Sequence, residues 1–130
     1  MGAGRYLMLK TLPPNSNKDI SMKPVARNIF KAVPDFFPEE LFESVFQQNH
    51  VHIERILSQG HCTTPGEWYD QPWDEWVLLI QGQATLLYQE HQHRLHLSAG
   101  DYILIPAHTL HRVEWTPADQ TTIWLAVHMK

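Results

Sequence analysis

A chain of 130 residues carrying 10 Lys and Arg against 14 Asp and Glu, for a formal net charge of -4, is sized for one domain and has no basic run to meet a phosphate backbone or an anionic membrane. The single cysteine, Cys62, permits neither an internal disulfide nor a CxxC pair, which points to a reducing cytoplasm. The longest apolar run, Trp76 to Ile80, falls far short of the ~20 residues of a bilayer span, so neither nucleic acid nor membrane is expected as a partner.

Residues 1–21 are polar, contain Pro13-Pro14 and an Asn-Ser-Asn cluster, and read as a flexible tail; residues 22–130 are expected to form the domain. Ile29 to Phe37, interrupted by Pro34, reads as a short extended arm packing on that domain. A helix is expected over 38–49. Pro38 suits a first helical position, Glu39, Glu40 and Glu43 suit the positive end of the helix dipole, and Leu41, Phe42, Val45 and Phe46 recur at the spacing of one buried face.

Beyond Asn49 the period changes to short runs rich in Val, Ile, Leu, Trp and Tyr. Strands are expected at Val51 to Ser58, Glu75 to Gln81, Gln83 to Gln89, Arg94 to Leu97, Asp101 to Ile105, His111 to Trp115 and Thr121 to His128. Gly82, Ser98 to Gly100, Pro106 to Leu110 and similar Gly, Pro and polar segments separate them. None of these separators leaves room for a crossover helix. A parallel βαβ sheet is therefore excluded, and the strands must pack face to face or close on themselves as an all-β barrel.

Two stretches go beyond generic strand patterning: Glu75-Trp-Val-Leu-Leu-Ile-Gln-Gly82 and Gly100-Asp-Tyr-Ile-Leu-Ile-Pro106-Ala-His-Thr-Leu-His111. Over His52 to His128 the chain resembles the cupin superfamily, whose first motif carries a His-x-His pair before such a Glu and ends at such a Gly. The second family motif sets Gly, Pro and His at the spacing of Gly100, Pro106 and His111. The resemblance implies a jelly-roll barrel, a double-stranded β-helix, with Glu75 and His111 pointing into it. Three departures stand out. Counted back from Glu75, the His pair is replaced by Tyr69 and Gln71 or, at the longer spacing, by Trp68 and Asp70; His108 stands where the family has Gly, and Trp115 where it has Asn.

In cupins that bind metal, the His pair, the Glu and the second-motif His hold one divalent ion. Asp70, Glu75 and His111 are the set this chain would offer, which leaves a weakly held ion (zinc, manganese, iron or nickel) as one alternative. The other is metal-free acid–base chemistry by Glu75, His111 and Asp70, with Tyr102 or Tyr69 as proton donor. Trp68, Tyr69, Gln71 and Trp73 cluster at the first motif and suit a ligand-binding rim. Trp76 alternates with Glu75 and should face an interface or the helix, while Trp115 and Trp124 read as core. His50, His52 and His128 read as partly exposed, and His91, His93 and His96 as solvated hairpin residues.

The resulting expectation is a small-molecule-binding cupin with a pocket built on Glu75 and His111. An isomerase, lyase or oxygenase acting on a small polar or sugar-like substrate is the alternative, and an interaction module with a vestigial pocket the third. A homodimer is expected, covering sheet edges by strand pairing or by exchange of the segment around 29–37.

Overall fold

In the computed structural model, which describes residues 23–130, the alternating segments become eight β-strands and one short 3-10 turn at Glu90–Gln92. The tail expected over 1–21 lies outside the described residues. Two units are distinguished, residues up to Lys31 and Ala32–Lys130. In the first, Asn28 closes a turn, its Oδ1 accepting the Phe30 N–H at 2.8 Å. Every strand of the described residues belongs to the second.

The strands are β1 (Leu41–Gln48), β2 (Val51–Ser58), β3 (Asp74–Gln81), β4 (Gln83–Tyr88), β5 (His93–Ser98), β6 (Tyr102–Ile105), β7 (His111–Trp115) and β8 (Thr122–Met129). They pair antiparallel into a five-stranded sheet, β1-β2-β8-β3-β6, and a three-stranded sheet, β5-β4-β7. All seven expected strands are present. The helix expected over 38–49 is not: that segment is the edge strand β1, paired with β2 from Leu41↔Leu57 to Gln48↔Val51.

A β-bulge accounts for the helix-like pattern. Between Ser44 and Phe46 the register slips, so Phe42 faces inward opposite Ile56 while Phe46, four residues on, faces outward opposite Ile53. That slip turns a two-residue alternation into an apolar spacing that imitates a helix. Two of the three acids that suggested a helix start are held by β2 instead: Glu43 pairs with Arg55 at 2.6 Å, and Glu40 accepts a hydrogen bond from the Ser58 hydroxyl.

Alternate residues of both sheets meet in a core of Val77, Leu79, Ala84, Leu86, Leu97, Ile105 and Trp124. A second cluster gathers Phe37, Leu57 and Ile123, with Val33 packed against it, so residues 33–37 of the expected arm do lie on the barrel. Gly82 turns β3 into β4 at φ +90°, and a Cβ there would meet the Thr122 Cα at 2.8 Å; the turn needs glycine for both conformation and space. Trp124 is core as expected, whereas Trp115 is 42% exposed at the end of β7, stacked on His96.

Candidate functional site

Strand register sorts the inward-facing side chains between the sheets into two tiers. Glu75 stands opposite His128 across β3 and β8, and His111 opposite Tyr88 across β7 and β4. Two residues further along the same strands, Val77 meets Ala126 and Leu86 meets Val113. A cavity of about 160 Å³ opens here, polar where Glu54, Glu75, His111 and His128 line it and apolar where Val77, Leu86, Val113 and Trp124 do.

His111 is 5% exposed, and its Nδ1 lies 2.7 Å from the Thr109 carbonyl. A carbonyl only accepts, so Nδ1 carries a proton, and the neutral form of the ring has its lone pair on Nε2. No described residue bonds Nε2, which makes it an acceptor turned toward the cavity. The ring is held from one side by Tyr69, whose ring centroid is 5.5 Å away and whose backbone forms a two-bond bridge with His111. Burial, and after it the charges of Glu40 and Glu75, push the Tyr69 phenol up, so it remains a proton donor. Tyr88 is pushed up likewise, by burial and then by Glu75.

Glu75 is 7% exposed and accepts one hydrogen bond, from Gln71 Nε2 at 3.0 Å. His128 is bound at both nitrogens: the Trp73 indole N–H donates to Nδ1 at 2.9 Å, and Nε2 lies 2.8 Å from Glu54 Oε1. An indole N–H can only donate, so the His128 proton sits on Nε2 and points at the carboxylate. The two imidazoles thus have opposite tautomers, one offering the cavity a lone pair and the other fastening Glu54.

A further chain runs from the Trp124 indole N–H to the Ser58 hydroxyl at 3.1 Å and on to Glu40. Burial pushes the Glu40 carboxyl above its ordinary range, against the opposing pulls of Ser58 and His61. A carboxyl raised in this way stabilises the fold below its unfolded value and loses that contribution as pH rises through its folded value. Glu40→Gln keeps an acceptor for Ser58. It is therefore expected to raise Tm at about pH 8 and to leave it unchanged near about pH 3.5, as thermal melts at the two values would read.

Of the residues singled out from sequence, Glu75, His111, Tyr69 and Gln71 line the cavity. Asp70 does not. It is exposed, and its Oδ1 meets His108 Nδ1 at 3.2 Å on the surface. Tyr102 is 64% exposed on the outer face of the five-stranded sheet, tilted against Trp76, because it pairs with Leu78 and shares that residue's outward parity; it is no partner of Glu75. Trp68 lies outside the lining, and Trp73 acts on the site through His128. His128 itself, expected to be partly exposed, is 7% exposed.

Glu54 and His128 lie outside the two sequence motifs. The signal that would have found them is parity: Glu54 alternates with Ile56 and Ser58, and His128 with Ala126 and Trp124, all facing inward. His108 also gains an explanation. Its φ is +61°, the left-handed region in which glycine costs least, which is why a residue other than Gly is unusual there.

The divalent ion implied by the resemblance is not matched by the side chains. At the shorter spacing the two imidazoles are replaced by the phenol of Tyr69 and the amide of Gln71, and that amide directs its N–H at Glu75. Among the described residues no three His, Cys, Asp or Glu side chains stand close enough together to hold a metal ion.

This architecture, two antiparallel sheets enclosing a pocket lined by the first-motif Glu and the second-motif His, is that of a cupin barrel. The cupin domain family matches residues 56–128, and the chain belongs to it. It is 39% identical to a protein of Ralstonia eutropha JMP134 designated a candidate mannose-6-phosphate isomerase, over 82% of this chain and 99% of that one, with a TM-score of 0.78. A cupin superfamily protein of Desulfitobacterium hafniense DCB-2 shares 18% identity over 82% of this chain and 93% of that one, with a TM-score of 0.65. A protein of Thermus thermophilus shares 15% over 80% and 95%, with a TM-score of 0.66. No curated protein matches the sequence. No helix of the described residues is long and apolar enough to cross a membrane.

Proposed function

We propose that this cupin binds a small molecule between Glu75 and His111 without recruiting a metal ion. The observation that carries the reading is a cavity that holds His111, whose Nε2 no described residue bonds, beside an acid with a single hydrogen bond. A ligand bearing N–H or O–H groups can bond both acceptors in place of the water that reaches the cavity. A thermal-shift screen of neutral, cationic and anionic small molecules should yield at least one saturable stabiliser whose effect disappears in both Glu75→Gln and His111→Ala. Stabilisers that act equally on both variants would remove the reading.

A second reading, acid–base isomerisation, is favoured by the Tyr69 phenol, held protonated in the same cavity lining as Glu75 and His111, and by the designation of the Ralstonia eutropha protein. A sugar phosphate is a poor fit to the cavity. Among the described residues its lining includes Glu40, Glu54 and Glu75 and contains no Lys or Arg to meet a dianion.

We also infer that two copies pair through the outer face of the five-stranded sheet. Leu104, Trp76, Val127, Ile53 and Phe46 form an unbroken apolar row across all five strands. A solvated sheet face is ordinarily polar. Five strands at ~4.8 Å spacing give a face of about 500 Å² in projection, the same order as the ~800 Å² each partner buries in a stable dimer. Sedimentation should give a dimer that Trp76→Glu with Leu104→Glu converts to a monomer; a wild-type monomer at micromolar concentration would overturn the inference.

A further inference from the structure

The chemistry of the ligand can be narrowed beyond a small molecule, granting that the cavity binds one. Around the polar tier the charged and imidazole groups still able to bond are acceptors, namely the second oxygen of Glu75, the lone pair of His111 Nε2, and Glu54, whose bound partner is a neutral imidazole; the donors beside them, the Tyr69 phenol and the second N–H of Gln71, are uncharged. His111 is 5% and Glu75 7% exposed, so what remains accessible of either side chain is reached through the cavity. Among the described residues the cavity has no compensating cation. Arg55 is turned outward to Glu43 at 2.6 Å, Arg112 bonds the Thr63 carbonyl at 3.0 Å, and Lys130 stands over the Trp73 ring at 4.7 Å; none of the three lines the space.

One register step away the walls are apolar, made by Val77, Leu86, Val113 and Trp124. A sugar, with hydroxyls on every side, would leave several of them unbonded against those walls. A molecule with one charged donor end and a hydrocarbon body would not. The cavity volume of about 160 Å³ is close to the ~150 Å³ that accommodates a benzene ring.

We propose that the cavity is a receptor for a compact primary ammonium ion, its N–H groups bonded by Glu75 and His111 and its apolar body seated between Val77, Leu86, Val113 and Trp124. Two carboxylates without an internal cation select positive charge, the lone pair of His111 selects an N–H donor over a quaternary nitrogen, and the apolar tier selects the body. The class excludes phosphorylated sugars on charge and free sugars on the apolar tier.

The test is isothermal titration calorimetry of the full chain with three probes: benzylamine, benzyl alcohol, which has the same skeleton without the charge, and mannose 6-phosphate. Benzylamine is expected to bind saturably and at least ~10-fold tighter than benzyl alcohol, a difference of about 1.4 kcal/mol. Glu75→Gln should abolish that preference while leaving the benzyl alcohol affinity within about twofold, because the amide keeps the shape and loses the charge. Glu54→Gln, which retains an acceptor for His128, should reduce the preference without abolishing it. Equal affinity for the two benzyl probes, tighter binding of mannose 6-phosphate, or no binding of benzylamine would each overturn the ammonium assignment. If benzyl alcohol or the sugar phosphate bound in a manner sensitive to His111→Ala, the small-molecule site would stand and only the ligand class would fall.

Discussion

Leu79→Ala is expected to lower the unfolding free energy by about 3–4 kcal/mol, the largest loss expected from truncating one side chain of β3. Leu79 is fully buried, and it follows Glu75 and Val77 along the inward face of β3, so it lies in the core beyond the cavity. Its backbone is fixed as well: its N–H donates to the Asp101 carbonyl at 2.9 Å, and its carbonyl accepts from Gly100 at 2.7 Å. The surrounding structure therefore has little freedom to collapse into the space left, and the cavity term is added to the lost transfer energy. In a domain of this size that loss corresponds to a fall in Tm of roughly 10–20 °C. Leu78→Ala, one residue away but on the outward face, should cost less than half as much in the monomer. Urea unfolding of the two variants compares them, and equal losses would mean that β3 does not present Leu79 to the core as described.

That contrast rests on parity, and parity is what makes most of the fold legible. From Val51 onward, two-residue alternation broken by Gly and polar turns is a local signal, and each strand read from it is present. β1 is illegible for an equally local reason. Its bulge shifts Phe46 to the opposite face from Phe42, and the partners of Glu40 and Glu43 come from β2, at Ser58 and Arg55. Short-range propensity has no access to either fact, and without them the acids resemble helix N-terminal charges.

The site divides the same way. Glu75 and His111 are legible because each belongs to a motif whose glycines and proline fix the surrounding turns. Gln71 and Tyr69 are legible as positions, but spacing alone does not choose between their register and that of Trp68 and Asp70. The structure chooses through backbone pairing: Tyr69 bridges to His111, and the Gln71 carbonyl accepts the His108 N–H at 2.7 Å. Asp70, between the two, is thereby turned outward to His108. Glu54 and His128 are hidden because they meet across β2 and β8, with 74 residues of sequence separation between them.

The group around His128 carries the second large expectation. Glu54→Leu should destabilise the domain by about 2–3 kcal/mol, because it strands the imidazole Nε2–H in a place where the ring is 7% exposed. Glu54→Gln, which still offers an oxygen to that N–H, should cost less than about 1 kcal/mol. The donor from Trp73 fixes the tautomer, so the ring cannot evade the loss by moving its proton to Nδ1 without breaking the indole bond at 2.9 Å as well. Removing both partners, as in Glu54→Leu with His128→Leu, should cost less than the two single changes together, because no orphaned polar atom remains. The double-mutant cycle, measured by urea unfolding, isolates the pair from the packing of either side chain. Strict additivity would mean that water replaces Glu54 at no cost, and that His128 is held by Trp73 alone.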